Sequence, residues 1–104
     1  MYKLLLATNQ PEVLAAFSAM TNWDMLGFRP PRIVSSAEEA IEKLQTHHVD
    51  GIAFALGSQE DAVLHQYLCD EYPILPIFEA GRTGADVHRA VKELRSLLNR
   101  LRAD

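Results

Sequence analysis

The sequence predicts an α/β protein, a three-layer α/β/α sandwich on a parallel sheet. Three observations carry this. Four short apolar runs recur along the chain, at 2–8, 32–36, 49–56 and 74–78. Each is followed by a short polar residue with an acid three positions on: Asn9 and Glu12, Ser36 and Glu39, Ser58 and Asp61, Thr83 and Asp86. That pairing caps the free N–H groups of a helix start and suits its positive end. The residues after each cap repeat at helical spacing. Strand–helix alternation implies right-handed crossovers, and so parallel strands with helices on both faces.

Taken in order, YKLLLAT (2–8) is nearly continuous in apolar residues, as befits a central strand covered on both faces. Val13, Leu14, Phe17 and Met20 form the stripe of the first helix. The segment WDMLGFRPP (23–31) reads as a long loop, and RIVSS (32–36) as the second strand. Ala37, Ala40, Ile41 and Leu44 stripe the second helix, and VDGIAFAL (49–56) is a second central strand. Leu64, Tyr67, Leu68 and Tyr72 stripe the third helix. ILPIF (74–78) holds Pro76, which cannot donate to a ladder, so this strand belongs at an edge and the order is 2-1-3-4. EAGRTG (79–84) is a loop, and a last helix runs from about 85 to 102.

Composition bounds the function. The 104 residues suffice for one domain, 1–104, with a modest core. No apolar run approaches the roughly 18 residues of a membrane span. The N-terminus lacks the cleavage pattern of a signal peptide, so a cytoplasmic protein without membrane association is expected. A single cysteine, Cys69, excludes an internal disulfide, and its place beside Leu68 suggests a small buried hydrophobe. Net charge is −4, split as −7 over residues 1–81 and +3 over 82–104. Cations late in a last helix complement its dipole, and direct nucleic-acid binding is not expected from so small an excess.

The stretches LLLATNQPEVLAAF and SSAEEAIEKLQTHHVDGIAFAL resemble the response-regulator receiver domain, the flavodoxin-like phospho-acceptor module of two-component signalling. The resemblance implies an acidic pair after the first strand to hold Mg²⁺, an acceptor aspartate ending the third strand, a hydroxyl after the fourth and a lysine after the fifth. The acidic pair falls on Thr8 and Asn9, and the acceptor falls on Ala55. The hydroxyl position falls near Glu79 to Gly81, with Thr83 displaced from it, and no lysine lies between Lys43 and Lys92. Mg²⁺ prefers carboxylate oxygens, which these positions do not supply. Asp50 starts its strand and so sits at the opposite end of the sheet. The chain also has four strand–helix units where the resemblance implies five. The missing unit is either the last or an internal one; RAVKELRSLLNRL is similar to a receiver's final helix.

These readings make the chain a non-phosphorylatable pseudo-receiver, a regulatory and dimerisation module in signal transduction or transcription regulation, with no cofactor and no catalytic or metal residues. The ending LNRLRAD fits a join to a DNA-binding output domain or another protein partner. Val87, Val91, Leu94, Leu98 and Leu101 step as a heptad seam. A helix of about 18 residues is roughly 27 Å long, against roughly 17 Å for a short strand. Leu98 to Arg102 should therefore project uncovered, making these leucines and edge residue Pro76 a homodimer interface. The alternative is a small-ligand sensor using an anion-binding crevice at Thr8, Asn9, Ser58 and Arg82, where open α/β sheets bind ligands. An enzyme ranks last, since no nucleophile or acid–base pair converges there. Adjacent His47 and His48 point apart and read as surface residues.

Overall fold

The computed structural model describes residues 1–103; Asp104, the end of LNRLRAD, lies outside them. In chain order the elements are β1 (Leu4–Thr8), α1 (Pro11–Ser18), β2 (Arg32–Val34), α2 (Ala37–Thr46), β3 (Gly51–Ala55), α3 (Ser58–Glu71) and α4 (Gly84–Ala103). The three strands are parallel in the order β2-β1-β3. Leu6 of β1 lies opposite both Ile33 of β2 and Ala53 of β3. This is an open, flavodoxin-like α/β sheet lacking one unit, as the alternation predicts.

Period-two alternation within β1 divides the core. Leu4 and Leu6 face α1 and α4, packing with Val13, Phe17, Val87 and Val91. Leu5 and Ala7 face α2 and α3, packing with Ala40, Leu44, Leu64 and Leu68. All five β1 residues are buried, as a central strand covered on both faces requires. Gly51 allows β3 and α4 to approach closely, since a Cβ there would lie 2.9 Å from Leu94 Cδ2.

Four expectations are corrected. The fourth strand shrinks to one parallel bridge, Ile52 with Ile77. Leu75 N–H turns back to the Tyr72 carbonyl at 3.1 Å, and Pro76 has no N–H to give, so the run cannot extend. It still lies beside β3, on the side the order 2-1-3-4 requires. Second, the loop 23–31 belongs to the core: Trp23 and Phe28 are buried, and Tyr2 bonds Gly27 and Arg29 through its backbone. Third, only two side chains cap as expected. Ser36 accepts from Glu39 N–H and Thr83 from Asp86 N–H, each at 3.1 Å. Gln10 and Gly57 occupy the other N-cap positions without side-chain caps. Fourth, Cys69 is exposed, 3.8 Å from His65 Nδ1 one turn back. Leu64 and Leu68 supply the buried line of α3, and Cys69 lies one step round the helix from it.

Candidate functional site

The carboxyl ends of β1 and β3 meet through side chains that bond inward. Thr8 is buried; its Oγ1 donates to the Ala55 carbonyl at 2.9 Å and accepts from Gln10 N–H at 3.1 Å. Asn9, freed from capping, donates through Nδ2 to the Leu56 carbonyl at 3.1 Å. Asp61 reaches back to accept from Leu56 N–H at 2.9 Å. Gly57 makes this turn at φ 118°, ψ 159°, a conformation that favours glycine. The polar groups that could face a crevice thus stitch β1 to the β3–α3 turn. Gln10 Oε1 is the exception, buried without a partner among the described residues.

The remaining predicted positions disperse. Arg82 pairs with Glu12 of α1, both more than half exposed. Ser58 is exposed at the first turn of α3, and Glu79 is exposed beyond the edge segment. Gly81 packs on the start of α4, where a Cβ would meet Asp86 Cβ and the Val87 nitrogen at 2.8 Å. Thr83 is occupied as a cap. The GRTG stretch is therefore the structural lead-in to α4. No group of three His, Cys, Asp or Glu side chains gathers at metal-binding distance among the described residues.

The predicted dimer seam is corrected. Val87, Val91, Leu94 and Leu98 are buried in the chain's own core. A helix laid along a sheet turns its most apolar line inward, and these residues form that line. Leu98 is covered, so the projection begins at Leu101, which is 57% exposed. The outward face of α4 carries a second line with the same spacing. Asp86, Ala90, Glu93, Leu97 and Arg100 border a groove of about 700 Å³ against Pro76 to Arg82. A second groove of about 760 Å³ also reaches Pro76 and holds Ile74 and Leu101. Ile74 is 91% and Ile77 46% exposed, so the edge beside β3 carries an apolar strip.

The opposite end of the sheet has a feature that the sequence reading passed over. Asp50 is buried, and three donors meet its carboxylate. Lys3 N–H lies 2.8 Å from Oδ2, while His48 Nε2 and Arg102 Nη2 lie 2.9 and 3.1 Å from Oδ1. Burial by itself raises the pKa of this carboxyl. The Lys3 hydrogen bond, His48 and the Arg102 charge outweigh burial and hold it below the usual carboxylate range. Arg102 also lies over the Tyr2 ring, 4.7 Å from its centre, and Tyr2 OH donates to Asn99 Oδ1 at 2.7 Å. The last turn of α4 is thereby tied to the start of β1 and to the residue preceding β3. An aspartate opening an apolar strand, as in VDGIAF, was the available signal, because a charge there needs partners.

No helix is long and apolar enough to cross a membrane among the described residues. Comparison with protein-family models, with curated proteins and with solved structures gives no match. The functional reading therefore rests on this chain's own residues.

Proposed function

We propose that the chain is a cytoplasmic, receiver-like regulatory module in signal transduction or transcription regulation that works by protein contact and not by phosphoryl transfer. The observation that carries this reading is how the strand ends are filled. At the positions corresponding to a receiver's acids stand Thr8, Asn9 and Ala55, and the two polar ones spend their groups on the Ala55 and Leu56 carbonyls. The Ala55 methyl has no oxygen to take a phosphoryl group. The pairing of α4 with α1 on one face agrees with α4 being a final helix after an internal deletion.

The contact surface in this proposal is the sheet edge together with the outer line of α4, and the partner is a second copy. Pro76 carbonyl accepts from Ile52 N–H, and Phe78 N–H donates to the Ile52 carbonyl. Extended backbone alternates its directions, so the Ile77 N–H and C=O point away from β3. An edge of this kind invites pairing. The two ends of the outer line of α4 carry opposite charges, Asp86 and Arg100. Asp86, Arg89, Glu93 and Arg100 border the groove. Against an antiparallel copy centred on residue 93, Asp86 of each chain meets Arg100 of the other, Arg89 meets Leu97, and Glu93 lies at the axis beside its own copy. The centre of that pairing falls close to Leu94, which packs on Gly51 next to the Ile52–Ile77 bridge. The proposal places helix and edge about one two-fold axis.

A second reading, a small-ligand sensor at the strand ends, is favoured by one observation, the unpartnered Gln10 Oε1. It is the weaker, because Thr8 and Asn9 are engaged. The test of the proposed function is incubation with acetyl phosphate and Mg²⁺ followed by intact-mass measurement. The expected mass is unchanged; a covalent phosphoryl adduct overturns the proposal.

A further inference from the structure

We propose that the amino-terminal end of the sheet is a binding site for a small phosphate-bearing anion. Residues 1–81 hold eleven acids and only four Lys or Arg residues. Three of those four, Lys3, Arg29 and Arg32, line one groove of about 330 Å³, together with His47 and His48. They come from three separate parts of the chain: the residue before β1, the lead-in and first residue of β2, and the α2–β3 connection. Only folding brings them together.

The groove's charge is uncompensated. No carboxylate pairs with the side chains of Lys3, Arg29 or Arg32 among the described residues. The nearby acid, Asp50, is buried and engaged by Lys3 N–H, His48 and Arg102. Arg82, Arg89 and Arg102 each pair with an acid, whereas Lys3, Arg29 and Arg32 gather in one groove with none.

The groove is also prepared for an anion. Arg29 and Arg32 flank Pro30 and Pro31. Two prolines in succession fix their own φ angles, so the backbone separation of the two arginines is largely set before binding. Less freedom is then lost when both engage one ligand. A guanidinium offers a planar fork of donors that matches phosphate oxygens two at a time, and Lys3 adds a point charge. The volume lies at the lower end of small-molecule pockets, which suits a phosphate or pyrophosphate group with a small organic part. The chain's net charge of −4 disfavours a long polyanion. The site lies at the opposite end of the strands from Thr8, Asn9 and Ser58, and it does not depend on the dimer proposed above.

The test is calorimetric titration of the chain with inorganic pyrophosphate. Saturable binding is expected, weakening as salt rises. Arg29→Gln with Arg32→Gln should weaken it at least about tenfold, the scale of one lost charge-assisted contact. Lys92→Gln with Arg95→Gln removes the same charge elsewhere and should leave binding unchanged. Circular dichroism verifies folding, and Lys3→Gln supplies an independent variant should the arginine pair fail to fold. Absence of pyrophosphate binding, equal loss in the control pair, or no loss in Lys3→Gln where the arginine pair does not fold overturns the proposal. So does binding of a single-stranded oligonucleotide when pyrophosphate does not bind, since the groove would then be part of a polymer-reading surface.

Discussion

At Asp50 a single carboxylate gathers a backbone N–H, an imidazole and a guanidinium. Hydrogen bonds to a buried charge contribute more than neutral ones, on the order of 1.5–3 kcal/mol each. Arg102 and His48 are both more than half exposed, so their share is screened, and the Lys3 N–H is the firmest partner. Asp50→Asn should therefore cost about 1–3 kcal/mol at neutral pH. The sign of its pH dependence follows from the lowered folded-state pKa. The stabilisation is fully present above the ordinary aspartate value of about 3.9 and is lost as pH falls through the lower folded value. Urea midpoints measured from pH 7 down to acid should show the two proteins converging below about pH 4; parallel curves would contradict this assignment. Side chains such as Asp50 and Thr8 are hard to read in a sequence because their partners are backbone groups tens of residues away. Thr8 and Ala55 are 47 positions apart, yet they share one hydrogen bond.

At the scale of elements, helix starts depend on geometry as much as on residue type. Ser36 and Thr83 cap as their sequence pattern implies, because nothing else competes for their hydroxyls. Asn9 does not cap because α1 starts one residue later than expected, with Gln10 at the N-cap position, and its Nδ2 donates instead to the Leu56 carbonyl just after β3. Before α3 the chain must turn sharply, so glycine replaces a capping side chain at residue 57. No atom lies within 4 Å of where a Gly57 Cβ would stand. Gly57→Ala should still lower stability by about 1–3 kcal/mol through backbone strain alone. Thermal or urea unfolding measures this, and an unchanged midpoint would show that the turn relaxes freely. The two lines of α4 carry the same lesson. Apolar spacing identified Val87, Val91, Leu94 and Leu98 as one face, and periodicity does not say whether that face meets the chain's own sheet or a partner. The sheet claims it, and the line from Asp86 to Arg100 remains for outside contact.

At the scale of the whole molecule, alternation of strand and helix was enough to give the parallel sheet and the two covered faces, since few topologies satisfy right-handed crossover, and Pro76 pointed to the edge and so to the order. The shortness of the edge was only half legible. Pro76 marked it, but the turn at Tyr72 to Leu75 that consumes the rest of the run depends on how α3 ends. The outcome is a small sheet capped by helices above and below and left unfinished beside β3. Ile74, Ile77, Leu97 and Leu101 lie exposed along or near that side. Function by contact at this edge is the central claim, and sedimentation equilibrium tests it most directly. The wild-type chain should sediment as a dimer, Asp86→Arg and Arg100→Asp should each weaken association, and the double exchange should restore it, because acid again faces base across the two-fold. A wild-type chain that stays monomeric at all concentrations, or single and double variants that associate equally, would contradict the account.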